Sequence, residues 1–297
     1  MSDRFAHRYA PMQQRAVLFD GSANWMVVLI SLAILWFGSR ILFTAIISLW
    51  MQSPRVVVHP EIADAFFMGS TPAGAGWSLA TFFVYVGITL SLSSAFHGIT
   101  LRGLIGPLRV AWAQFWRVSL YLSPIYALIT IPLLFDPTPF QQYPVSTWLV
   151  MLPAFLPLLF VQIGAEELVF RGYLQGHIAA LGKHPIMWMG VPSILFGLAH
   201  FDSYAPAYSA WAYVVWATLF GLICADVTAR SGTLGPALAV HFVNNIAAVL
   251  ILSSDDWLFG AALYVWPMYG AYWEPWIPFE LLALLTVWIA ARLAMRR

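Results

Sequence analysis

Eight stretches of the chain are apolar for long enough to cross a bilayer as helices: residues 24–50, 76–101, 118–135, 146–181, 185–201, 207–229, 233–252 and 276–295. A helix needs roughly 20 apolar residues to span the hydrocarbon region, and a longer stretch tilts. The pattern therefore predicts an all-α integral membrane protein, a bundle of about eight transmembrane helices. Residues 1–23 are polar and precede the first span. Residues 24–297 contain no internal repeat and no low-complexity linker, so they read as one multi-pass membrane domain.

Charge orients the bundle. With the N-terminus inside, the inner segments hold Arg4, Arg8, Arg15, Arg102, Arg109, Arg117, Lys183, Arg230, Arg292, Arg296 and Arg297. The outer segments hold Arg55 alone among Glu61, Asp64, Asp136, Asp202, Asp255, Asp256 and Glu274. This is the asymmetry of the positive-inside rule, and it puts both termini in the cytoplasm. Trp257–Trp273 is apolar, but a ninth crossing would carry Arg296 and Arg297 outside; its many Trp and Tyr suit an interfacial or re-entrant segment. Arg102–Trp116 mixes arginines with apolar residues and is expected along the inner surface.

Composition agrees with this picture. Hydrophobic residues make up 61% and charged residues 9% of the 297, against about 25% charged in a soluble domain. The net charge of +1 offers no basic surface for nucleic acid. Cys224 is the single cysteine, which excludes an internal disulfide and a thiolate metal cluster, and its apolar neighbours mark it as a buried span residue. No cleavable signal peptide is visible, so the first span is expected to double as the targeting signal. Short loops and the lack of eukaryotic targeting signals point to a bacterial inner membrane.

Chemistry concentrates where charge is expensive. Glu166, Glu167 and Arg171 lie inside an apolar span, and an intramembrane ionisable residue is a functional-site hypothesis once partners are named. Taking Gly182–Pro185 as a turn, Glu166 lies 17 residues before Lys183 (183 − 166) and His200 lies 17 after it (200 − 183). At about 1.5 Å per residue, antiparallel helices bring both to one depth, about 25 Å from the turn. His241 and Asn245 are four apart and share a helix face. Glu167 and Arg171 form an i, i+4 pair with the acid N-terminal, the better orientation. The spacing thus divides the acids: Glu167 with Arg171, and Glu166, about 100° round the helix, with His200, His241 and Asn245. A carboxylate with an imidazole takes a proton from water, and an imidazole with an amide stabilises an oxyanion, the parts needed to hydrolyse a peptide or acyl bond. Alternatively Glu166, His200 and His241 are ligands of a divalent metal, zinc first, whose bound water is the nucleophile.

In order, Glu166-Glu167-x-x-x-Arg171, Phe196-x-x-x-His200 and His241-x-x-x-Asn245 resemble the three motifs of the CAAX prenyl protease and bacteriocin-processing family (CPBP or Abi), multi-pass intramembrane endopeptidases of the type II CAAX kind. The resemblance covers about residues 146–250, and the catalytic core is set at about 146–252. It implies that Glu166 and His200 activate water, that His241 and Asn245 form the oxyanion hole, and that Glu167 and Arg171 support the site. It further implies a peptide or protein substrate, of the CAAX type with a lipidated tail or otherwise embedded in the bilayer. The family is labelled metalloprotease, while a metal-free glutamate mechanism is also proposed for it; a His-Glu-x-x-His helix is absent here.

The remaining polar residues have structural uses. His97 is expected as an interhelical hydrogen-bonding contact. His177 and His184 are expected in solvent near the inner loop, Asp226 in a helix-end pair with Arg230, Glu280 reaching the outer interface, Phe196 packing beneath His200, and Asn244 facing away from the site. Arg40 needs a partner or a path to the interface. The rival class is a membrane transporter, or a bacteriocin-immunity or binding protein, that uses the same polar cavity without hydrolysis. Broken spans and paired halves, the usual marks of a transporter site, are not apparent.

Overall fold

The fold is taken from a computed structural model, which describes residues 8–52, 59, 61–182, 184–203, 205–267 and 277–296. Arg4, Arg55, Lys183, Glu274 and Arg297, used in the charge argument, lie outside these residues. Among the described residues eleven helices follow in order: α1 (Ala10–Ala16), α2 (Trp25–Met51), α3 (Glu61–Met68), α4 (Pro72–His97), α5 (Leu101–Ile105), α6 (Leu108–Leu133), α7 (Val145–Leu181), α8 (Ile186–Ala199), α9 (Ala207–Ser231), α10 (Gly235–Ile251) and α11 (Ile277–Ala294). Each of the eight apolar stretches coincides with a helix. Five of them, α2, α4, α7, α9 and α11, are long and apolar enough to cross a membrane; α8 and α10 are shorter apolar helices.

One boundary differs from the sequence expectation. Arg102–Trp116 is not one surface element: Arg102 lies on the short helix α5, and the rest is divided from it at Gly106-Pro107. Pro107 precedes a single continuous helix, α6, which carries Arg109–Trp116 into the same rod as the expected span. Periodicity has no break at that point, since Pro107 supplies the start that a proline tolerates.

Local chemistry sets the ends. Asn24 accepts a hydrogen bond from the Val27 backbone N–H at 2.9 Å and starts α2. Gly232 ends α9 in the left-handed region at φ 74°, where a Cβ would be strained. Gly197 serves close packing: a Cβ there would meet Thr218 Oγ1 at 2.1 Å and the Val214 carbonyl at 2.6 Å, so α8 can lie against α9 only with glycine at this point.

Inside the bundle, α10 is wrapped by α6, α7 and α9, and its residues Ala237, Ala239 and Val240 are fully buried. The outward faces stay apolar: Ile41, Leu49, Leu128 and Val150 are each at least 70% exposed. A soluble fold would not present such a face in this number, whereas lipid covers it at no cost. Near the C-terminal end of α9, Asp226 gathers Tyr9, Arg230 and Trp288, fastening the start of α1 and α11 to α9. Arg15 donates to the carbonyls of Leu104 and Gly232, and its burial lowers the guanidinium to about 10.

The all-α expectation has one exception. Three short strands, β1 (Phe140–Gln141), β2 (Leu252–Ser254) and β3 (Tyr264–Trp266), form a sheet in the order β1-β3-β2, with Phe140 opposite Val265 and Ser253 opposite Val265 on the other side. The described part of Trp257–Trp273 is thus loop and strand rather than a crossing helix, and residues 268–276 lie outside the described set. Trp148 ties α7 beneath this sheet by donating to the Leu250 carbonyl at 2.8 Å.

Candidate active site

Glu166, Glu167 and Arg171 sit on α7, where a regular helix gives way after Glu167 to a wider π-helical turn, Leu168–Leu174. The same device follows Asn245 on α10, at Ile246–Ile251. Such turns are frequent at functional sites, because they re-aim the side chains on either flank.

The expected ion pair is present. Arg171 Nη1 donates to Glu167 Oε1 at 2.9 Å, and both side chains are within 1% of complete burial. The guanidinium is held further by the Gly221 carbonyl at 3.2 Å and by the face of Phe196, 4.5 Å from the ring centroid. Glu167 does more than pair with Arg171, however. His241 Nδ1 lies 2.8 Å from the same Oε1. A carboxylate oxygen only accepts, so Nδ1 carries the proton and Nε2 is turned toward Glu166. The clean division of the acids fails here, because His241 bridges both.

Glu166 is held from the other side. Gln162 Nε2 donates to Glu166 Oε1 at 2.8 Å, while Oε2 stands 3.5 Å from His241 Nε2 and has no hydrogen-bond partner among the described residues. Gln162 Oε1 in turn accepts from Asn245 Nδ2 at 2.9 Å. Gln162 therefore faces Asn245 while Glu166 faces His241, which is what antiparallel helices with polar residues at i and i+4 produce. Asn244 does not face elsewhere: its Nδ2 donates to Asn245 Oδ1 at 2.9 Å, and its Oδ1 accepts from the Tyr126 hydroxyl at 3.0 Å.

His200 stands apart from this cluster. The α7–α8 register is the expected one, since Phe170 and Phe196, 13 residues either side of Lys183 (183 − 170 and 196 − 183), meet edge to face at 5.1 Å. His200, however, caps the end of α8, and its Nδ1 turns back onto the Phe196 carbonyl at 2.7 Å. That carbonyl only accepts, so Nδ1 bears the hydrogen and Nε2 is left as the free lone pair. Among the described residues His200 makes no hydrogen bond to Glu166. Phe196 packs against both histidines, 4.5 Å from the ring of His200 and 6.0 Å from that of His241, the packing role expected of it.

The metal alternative fares poorly on donor geometry. Among the described residues no three His, Cys, Asp or Glu are grouped as a metal site. Glu166 and His241 are adjacent and His200 makes no hydrogen bond to either among the described residues, while Nδ1 of each histidine is hydrogen-bonded and Nε2 is left available, as a metal-ligating histidine would have it. As they are placed, Glu166, His200 and His241 are not gathered as a three-ligand zinc site.

Residues 146–247 match the family model described as Type II CAAX prenyl endopeptidase Rce1-like. The resemblance seen in the three motifs is thereby borne out over the segment that carries them. That family is one of intramembrane proteases. Over 121 residues the chain is also 30% identical to the uncharacterized protein YyaK of Bacillus subtilis (strain 168); the matched segment is 40% of each chain. No solved structure matches.

Elsewhere, His97 is the expected interhelical contact, 2.7 Å from Ser22 Oγ and 3.3 Å from the Tyr173 hydroxyl. His177 is a correction: it is fully buried, accepts from the Asn24 backbone at 3.3 Å and stacks on Phe19. Phe19 and Asn24 are brought over it by the N-terminal segment, whose polarity disguised this packing. Arg40 lies 4.5 Å over the ring of Trp36, Asp226 pairs with Arg230 at 2.7 Å, and Glu280 accepts from Trp216 at 3.1 Å. Gln162 and Tyr126 were not singled out from the sequence. Gln162 had a signal: it stands one helical turn before Glu166 in an otherwise apolar run.

Proposed function

We propose that this chain is an intramembrane endopeptidase that hydrolyses a peptide bond at the level of the bilayer. The observation that carries the proposal is Glu166 Oε2, a buried carboxylate oxygen without a hydrogen-bond partner among the described residues, 3.5 Å from His241 Nε2. An oxygen withheld from water in this way is costly unless function occupies it. In this proposal Glu166 takes a proton from water as the oxygen adds to the substrate carbonyl carbon, and the free Nε2 of His200 is the second acceptor beside that water. The developing oxyanion is met by the Asn245 amide N–H not used by Gln162 and by a proton on His241 Nε2, with Glu167 stabilising the imidazolium from behind. The C–N bond then breaks and Glu166 returns its proton to the leaving amine.

On this proposal the catalytic core is about 146–252, within a single membrane domain of eight spans at 24–297, in a bacterial inner membrane with both termini cytoplasmic. The substrate class follows the family's printed description: a membrane-associated protein with a C-terminal CAAX-type tail.

The test is cleavage of a panel of membrane-anchored peptides, with prenylated and unprenylated C-terminal tails, by the purified protein in lipid vesicles. Wild type is expected to cut at least one peptide. Glu166→Ala and His200→Ala, each melting like wild type, should lower turnover by about 10²–10⁴-fold, the range for loss of a general acid–base group. Undiminished turnover in Glu166→Ala overturns the assignment. So does proton-coupled solute uptake with no peptide cut, the result a transporter would give.

A further inference from the structure

The hydrogen bonds around Glu166 run in one direction. The Tyr126 hydroxyl donates to Asn244, Asn244 to Asn245, Asn245 to Gln162 and Gln162 to Glu166, at 3.0, 2.9, 2.9 and 2.8 Å. The order is dictated from its end. An ionised carboxylate only accepts, so Gln162 must present its NH₂ to Glu166 and its oxygen to Asn245. Asn245 must then donate, which turns its own oxygen to Asn244, and Asn244 accepts in turn from a phenol. Each amide is fixed by the next, and bonds aligned head to tail in a low-dielectric interior strengthen one another.

We infer that Gln162 is a positioning residue that locks the carboxylate of Glu166 and the amide of Asn245 into one unit. The inference rests on the proposed hydrolytic role of that pair and adds a residue to it. Gln162 is 7% exposed and sits on α7, while Asn245 comes from α10. Its amide therefore spans two helices and both halves of the proposed reaction, the base and the oxyanion donor. It also decides which Asn245 N–H is spent and which is left to face the substrate carbonyl. Among the described residues, the titratable and charged groups around this unit are Glu167 and Arg171 on α7, His200 on α8, His241 on α10, Tyr126 on α6, Tyr213 and Cys224 on α9, and Glu280 on α11.

Gln162→Ala removes both bonds and should lower kcat by about 10²-fold with little change in KM, the scale of a misplaced reacting group. Gln162→Glu is the sharper variant. While protonated, the new carboxyl can donate to Glu166 and accept from Asn245, as the amide does. Once ionised it can only accept, and it opposes a second carboxylate. Its kcat optimum should therefore move at least one pH unit below that of wild type at similar KM and melting temperature, a shift that a packing role would not produce. A second readout needs no turnover: the side-chain NH₂ nuclear magnetic resonance signals of Gln162, assigned by their loss in Gln162→Ala, should move between wild type and Glu166→Ala, which removes the acceptor of that NH₂. Wild-type kcat in Gln162→Ala, a wild-type pH profile in Gln162→Glu, or NH₂ signals indifferent to Glu166 would each overturn the inference. If Glu166→Ala is inactive while the Gln162 variants are normal, this inference alone fails; if Glu166→Ala is active, the hydrolytic proposal fails.

Discussion

Glu167 is the residue on which the buried site depends. Its Oε1 accepts from Arg171 and from His241 in a place without solvent. Removing one partner of such a pair leaves an unpaired buried charge, which costs about 3–5 kcal/mol, more than the pair contributes against an apolar replacement. Glu167→Gln should therefore lower the melting temperature in detergent markedly, whereas Glu167→Gln combined with Arg171→Met should recover part of the loss. Equal melting of wild type and both variants would mean that Arg171 finds another counter-charge. At this scale the sequence was informative about the Glu167–Arg171 pair, because i, i+4 contacts need only one helix. It was silent about His241 joining that pair, because the angle between α7 and α10 decides whether its Nδ1 reaches Glu167 or Glu166.

At the scale of elements, the site is five helices, α6 to α10, brought together by small residues and interrupted turns. α8 carries His200 and Phe196, and its closest approach to α9 is at Gly197. Gly197→Val would have to push α8 away from Val214 and Thr218, moving Phe196 off the Arg171 guanidinium. Turnover should fall at least tenfold together with the melting temperature, while Gly164→Ala, whose Cβ would meet nothing within 4 Å, keeps the wild-type melting temperature. A Gly197→Val protein that melts and cleaves like wild type would remove close packing as the reason for this glycine. The helices themselves were legible from apolar length. The π-helical turns after Glu167 and Asn245 were not, since a wide turn has the same composition as the helix on either side of it.

For the whole molecule, the placement of arginines predicts that both ends share the cytoplasmic side of the membrane. With cysteines introduced into the Cys224→Ala protein, Arg8→Cys and Arg296→Cys should react with a membrane-impermeant maleimide from the cytoplasmic face only. Thr138→Cys, in the exposed turn before β1, should react from the opposite face. Labelling of Arg8→Cys and Arg296→Cys from opposite faces would contradict an even number of spans. The small sheet of β1, β2 and β3 belongs to this scale too. β1 comes from more than a hundred residues before β2 and β3, and all three are two or three residues long, so no local pattern announces them.

Apolar length, arginine placement and i, i+4 spacing by themselves pointed to a helical membrane protein and singled out Glu166, Glu167, Arg171, His200, His241 and Asn245 as its candidate site. Those properties belong to single helices and to their transfer into lipid, and both can be reckoned along one dimension. The tertiary structure decided who touches whom: His241 between the two glutamates, His200 turned onto its own helix end, and Gln162 joining Glu166 to Asn245. Such contacts depend on helix rotation and crossing. A rotation of 100°, one residue's worth, is enough to exchange one partner for another.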